Sequence, residues 1–210
     1  LYRSKRELEQ ADQSRYGWSA LSARDSERVP GSASGLTVGS GAGFFGMFNR
    51  NKQSLAVDVA DARGREIVLK LLAGADVFSE NFKAGAMQRL GLDYATLSTL
   101  NPRLVYVSHK GFLPGPYEHR TALDEVAQMM GGLAYMTGLP GRPLRAGSSV
   151  IDITGGMFGV IAILAALEQR HQSGTGQLVT SSLFETTAFL VGQHMAQQGV
   201  TGEEPPPMSV

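Results

Sequence analysis

Runs of strand period recur along this chain with about 20 residues of helical pattern between them, and this alternation limits the fold more than any other feature. "SLAVDVA" (54–60) sets Leu55, Val57 and Val59 on one face. "DVFSE" (76–80), "RLVYVSH" (103–109) and "SVIDI" (149–153) read as further strands. Between them, "DARGREIVLKLLAGA" reads as a helix stopped at Gly74, and "AGAMQRLGLDYATLSTLN" as helical with a break near Gly91. "TALDEVAQMMGGLAYMTG" (121–138) carries Ala122, Val126, Ala127, Met130 and Leu133 on one apolar side. Residues 157–172 form a strong helix ended by "SGTG", and "QLVTSSLFETTAFLVGQHM" begins as strand and turns helical. Parallel strands need long crossovers, so the pattern predicts an open, mostly parallel α/β sheet with flanking helices.

The ends differ from this middle. Residues 1–40 are rich in Ser, Gly and charge without apolar period, and read as an irregular or disordered segment. The α/β domain is expected over 41–198, and 199–210, with "EEPPPMSV", reads as the start of an interdomain linker. The first residues, "LYRSKRELEQ", are polar rather than a signal peptide, which points to a cytoplasmic location, and Leu1 in place of Met hints at a fragment.

Composition closes several functional classes. Lys plus Arg and Asp plus Glu both number 19, so no net field draws nucleic acid or an anionic membrane. There is no cysteine, hence no disulfide or thiolate chemistry. His109, His119, His171 and His194 lack metal-ligand spacing, and no metal is expected. The apolar run Met157–Leu167 is shorter than the ~18 residues of a membrane span. Neither a phosphate-binding P-loop nor a GxGxxG fingerprint is present.

Asp152 stands out. It ends an apolar run, has no cation beside it in sequence, and precedes Thr154, Gly155–Gly156 and a long helix. Unpaired N–H groups at a helix N-terminus favour an ionised carboxylate there. Two readings stay open on the residues alone. Asp152 or Thr154 is a helix cap, or Asp152 is a catalytic carboxylate with glycine N–H groups near a developing oxyanion. "FNRNKQS" (48–54), "SENFKAGAMQRLG" (79–91) and "SHKGF" (108–112) border strands where open sheets bind ligands, and each also reads as an ordinary loop.

Taken in order, "MFNRNKQSLAVDV", "ADVFSENFKAGAMQRLGLDY", "LNPRLVYVSHKGF", "DEVAQMMGGLAYMTG" and "GSSVIDITGGMFGVIAILAALEQRHQSGTGQ" resemble the family III CoA-transferases, the superfamily of formyl-CoA and carnitine CoA-transferases and α-methylacyl-CoA racemase. The resemblance runs from about Phe44 to Met195. It implies a Rossmann-like large domain and an aspartate nucleophile, matched by Asp152, that attacks an acyl-CoA thioester. It also implies coenzyme A as substrate with no further cofactor, a small carboxylic acid as the other substrate, and an interlocked homodimer. Its coenzyme A contacts fall on Val57, Asp58, Ala60, Asn81, Phe82 and Arg89, with Asp124 as an acidic position lining the site. Ala60 stands where some relatives have a lysine.

Departures from the pattern qualify the implication. Leu123 occupies the place of the racemases' histidine, so proton transfer between two bases lacks its second base and transferase is favoured over racemase. The family's first strand with its glycine turn is not recognisable in residues 1–40, and its small domain with a glycine-rich loop is not found. A coenzyme A-binding fragment without activity is the remaining alternative.

Overall fold

The computed structural model describes residue 49 and residues 51–208. Contacts group the chain into two units, Tyr2–Lys70 and Leu71–Val210 with Leu1. In the first unit, residues 52–58 form neither helix nor strand and lead through a turn into helix α1 (Ala62–Leu72), whose last turn crosses the unit boundary. The strand expected at 54–60 is not formed among the described residues. Its period survives as burial, since Leu55, Val57 and Val59 are half-buried between exposed neighbours. Alternation alone does not make a strand, and no ladder partner for this stretch lies among the described residues.

The second unit is built on three parallel strands in the order β1 (Val77–Glu80), β2 (Val105–Lys110), β3 (Leu178–Ser182). Val77 pairs with Val105 and Glu80 with Ser108, while Tyr106 pairs with Leu178 and Lys110 with Ser182. Helices α2 (Ala86–Leu90) and α3 (Tyr94–Leu100) cross from β1 to β2. They are parted at Gly91, whose φ of 65° closes α2, and α3 starts on the Asp93 carboxylate accepting from the Thr96 N–H. The expected helix over 121–138 is two helices, α4 (Asp124–Met130) and α5 (Leu133–Thr137), because Gly132 takes φ 88° between them. Then come α6 (Val150–Ser173), β3 and α7 (Leu183–Thr201).

Residues 149–153 are the largest departure from the sequence reading: "SVIDI" is not a strand but the start of α6. β-branched residues mimic strand composition, yet Ile151, Gly155 and Gly159 recur every four residues as the buried stripe of a helix. Small residues on that stripe let α6 lie close to the sheet. Gly155 accepts a 2.7 Å hydrogen bond at its carbonyl from Ser181 Oγ. Farther along, Ile163, Ala166 and Leu167 pack on Val105, Val107, Val77 and Val179. On the opposite sheet face Tyr106 makes edge contacts with Phe78 and Tyr94.

At 24 residues, α6 outruns the apolar core foreseen for it, and by length and composition it could cross a membrane. It covers the sheet with one side only. Met157, Ile161 and Leu164 are more than half exposed on the other. At its C-terminal end, buried Arg170 binds the Asp76 carboxylate at 2.8 Å and the Arg103 carbonyl at 2.8 Å, both at the N-terminal edge of the sheet.

Candidate active site

Open parallel sheets bind ligands at the C-terminal ends of their strands. Here that edge faces a cleft of about 1000 Å³, with the N-terminus of α6 in its wall. Strand period divides the lining. On β2, Val105, Val107 and His109 face α6, whereas Tyr106, Ser108 and Lys110 face the other way.

Glu80 anchors the second face. Its buried carboxylate accepts from Ser108 Oγ at 2.6 Å, from Lys110 Nζ at 2.9 and 3.0 Å, and from the Phe82 N–H at 2.8 Å. Lys110 also donates to the Phe82 carbonyl at 2.7 Å. The backbone at Phe82 is thus held from both sides while its ring stays 52% exposed on the cleft wall beside Asn81. On the first face, His109 Nε2 lies 3.1 Å from Ser79 Oγ, and its ring sits against Gly159. Burial holds the His109 pKa below the ordinary imidazole value, with Glu80 opposing and Lys110 reinforcing.

Asp152 occupies the first turn of α6, exposed toward the cleft. Partial desolvation raises its pKa, the charges of Asp124 and Glu125 raise it further, and Arg145 opposes them. Asp124 is buried at the start of α4. Its Oδ2 accepts from the backbone N–H of Ile151 at 2.8 Å and of Asp152 at 3.2 Å. Its Oδ1 accepts from Gln128 Nε2, with Arg145 Nη2 3.5 Å away. Gln128 in turn accepts from the Ala146 N–H at 2.7 Å.

Of the residues singled out in the sequence, Asp152, Asn81, Phe82 and Asp124 are brought to this cleft. Arg89, exposed near the end of α2, is not on its wall. Val57, Asp58 and Ala60 belong to the first unit, where Asp58 Oδ1 accepts from the Ala60 N–H at 2.9 Å. Gly155 and Gly156 lie inside α6, so their N–H groups are committed to the helical ladder and are not the oxyanion donors expected of them. Leu123 is 56% exposed on the wall and brings no titratable group. Arg145, Gln128 and the Glu80–Lys110 pair were not anticipated. Only Arg145 carried a visible signal, as the nearest cation before Asp152, seven residues away.

The CoA-transferase family III model matches residues 21–209. The chain belongs to CoA-transferase family III. Within the family it is 45% identical over 150 residues to an acyl-CoA transferase of Fusarium pseudograminearum, covering 70% of this chain and 33% of that one. It is 37% identical over 174 residues to the acetyl-CoA:oxalate CoA-transferase of Acetobacter aceti, covering 81% and 45%. Among solved structures, a CAIB/BAIF family protein from Brucella suis superposes with TM-score 0.74 at 39% identity, over 76% of this chain and 43% of that one. The chain therefore spans between a third and just under half of the length of these curated relatives.

Proposed function

We propose that this family III chain carries the nucleophile of an enzyme that moves CoA from an acyl-CoA donor to a carboxylic acid acceptor. The observation that supports it best is the exposed Asp152 carboxylate, held at a helix N-terminus on the C-terminal edge of a parallel sheet and opening into a large cleft. In this reading an oxygen of ionised Asp152 attacks the thioester carbonyl, the carbon–sulfur bond breaks, and CoA thiolate leaves behind an aspartyl–acyl mixed anhydride. The thiolate then attacks the aspartyl carbonyl, the donor acid leaves as its carboxylate, and an aspartyl-CoA thioester remains. The acceptor carboxylate reverses the two steps. Every step exchanges one acyl bond for another, so no ATP hydrolysis is required. The raised pKa makes the ionised carboxylate a stronger nucleophile than an ordinary aspartate.

Asn81 and the exposed Phe82 ring are the proposed wall for CoA, the ring offering a face on which adenine stacks. Val57, Asp58, Ala60 and Arg89 are proposed as CoA contacts on the resemblance alone. Leu123 disfavours the racemase reading, because no second base stands there. His109 does not replace it. It meets α6 at Gly159, seven residues and about 10 Å along the helix from Asp152. A homodimer, with the uncovered apolar side of α6 as part of its contact, belongs to the same proposal.

The test incubates the full-length protein with acetyl-, formyl-, oxalyl- and succinyl-CoA, each with and without oxalate, and then adds hydroxylamine. Peptide mapping should find a donor-dependent hydroxamate confined to Asp152, absent in Asp152→Asn. Trapping at another residue, or CoA exchange that survives Asp152→Asn, refutes the assignment.

A further inference from the structure

We propose that Asp124 is a positioning residue for Asp152, holding the backbone of the nucleophile's helical turn from across the fold.

The start of α6 lacks a cap of its own. Ser149 stands at the N-cap position, but its side chain accepts no N–H of the first turn. Asp124 does so instead, from 27 and 28 residues away in sequence. Both N–H groups converge on Oδ2, and one of them belongs to Asp152 itself. The second oxygen is held by Gln128, one turn on along α4, and Gln128 pins Ala146, next to Arg145, in the segment leading into α6. One carboxylate, 3% exposed, thereby joins α4, the loop before α6, and the first turn of α6. A carboxylate accepting two N–H bonds is a strong anchor, and a first turn so fixed leaves the Asp152 side chain only its own rotations.

The same placement sets a like charge beside the nucleophile. Asp124 and Glu125 on α4 both disfavour ionised Asp152, and Arg145 favours it. The remaining charges on the cleft wall are the Glu80–Lys110 pair, the Glu118–His119 pair, His109, Lys83 and Arg120. None of these touches Asp124; Arg145 does, and once released from Asp124 it acts on Asp152 in the same direction as loss of the Asp124 charge.

The inference rests on Asp152 as nucleophile, and the experiment separates the two. In the full-length protein, the Asp152 carboxyl is followed against pH by ¹³C NMR, assigned through Asp152→Asn, and amide exchange is read at Ile151 and Asp152. Asp124→Asn keeps an accepting oxygen and removes the charge. It should move the Asp152 midpoint to lower pH and speed exchange at both amides by less than Asp124→Ala does. Asp124→Ala removes the acceptor. It should speed exchange at both amides by about tenfold or more, the size of one lost charge-assisted hydrogen bond, and lower kcat by about 10- to 100-fold with a smaller change in KM. If Asp124→Ala fails to fold, amide exchange in Asp124→Asn decides. Amides that ignore Asp124→Ala or, where that variant does not fold, Asp124→Asn overturn the inference while Asp152 trapping stands. Absence of any Asp152 adduct in the unsubstituted protein sinks the nucleophile reading, and this inference with it.

Discussion

Replacing Gly159 with alanine sets two effects of opposite sign against each other. Alanine inside a helix gains about 0.5–1 kcal/mol over glycine. The new Cβ, however, would stand 2.5 Å from Cε1 and 3.3 Å from Nδ1 of His109. Carbon atoms rest about 3.5–4.0 Å apart, so the ring must move by about 1 Å. That movement strains the 3.1 Å contact with Ser79 Oγ, at about 0.5–1.5 kcal/mol, and tilts χ angles at a similar cost. The balance is a loss of about 0–2.5 kcal/mol where propensity alone predicts a gain.

Titration gives a sharper readout for the same variant. Burial keeps the His109 pKa below 6.5, so the neutral ring stabilises the fold above that value. This contribution is lost as pH falls from 6.5 through the lowered folded value. A ring displaced toward the cleft regains water and titrates nearer 6.5, so Gly159→Ala loses less on acidification. Urea melts at about pH 7.5 and 5 should show the gap between the two proteins narrowing at the lower pH, while NMR follows the His109 ring protons. A variant about 1 kcal/mol more stable than the parent, with His109 titrating unchanged, would falsify this account of the contact.

Other expectations follow from the site. Because the Asp152 pKa is raised in the fold, its contribution is full below 3.8 and lost as pH rises through the folded value. Asp152→Asn should therefore be the more stable protein near neutrality, and the advantage should vanish below about pH 4 in paired thermal melts. Lys110→Met leaves the Glu80 carboxylate, 2% exposed, without its cation. It should cost about 2–4 kcal/mol by urea denaturation, and adding Glu80→Gln should restore much of that. A Cβ on Gly156 meets no atom within 4 Å but enters the cleft wall. Gly156→Ala should gain up to about 1 kcal/mol of stability while lowering kcat/KM, a divergence visible in melts and kinetics on one preparation.

The three strands and their crossover helices were legible because each has a period and a punctuating residue, such as Gly91 or Gly174. Misreadings came where local pattern and tertiary context conflict. Val150, Ile151 and Ile153 look like strand, and only the carboxylate of Asp124 and the close sheet under Gly155 show why helix prevails. The alternation at 54–60 is real in burial but has no ladder among the described residues. Asp152 was legible from the glycines and helix that follow it. The Asp124–Gln128–Ala146 connection was not, because it joins segments whose proximity no local window contains. The Glu80–Lys110 pair was hidden for the same reason, its partners lying 30 residues apart on adjacent strands.

Helix α6 is fastened at both ends, by Asp124 at Asp152 and by Arg170 at Asp76 and Arg103. Those fastenings are eighteen helical steps, about 27 Å, apart, and between them Ile163, Ala166 and Leu167 rest on the sheet. Mechanically this is a beam clamped at each end and bedded along its length. Such a beam resists sliding and tilting, so the carrier of the nucleophile is the fixed reference of the site. Any yielding of the cleft wall to an entering thioester falls to segments without such fastening, such as the exposed stretch 113–121, which forms neither helix nor strand.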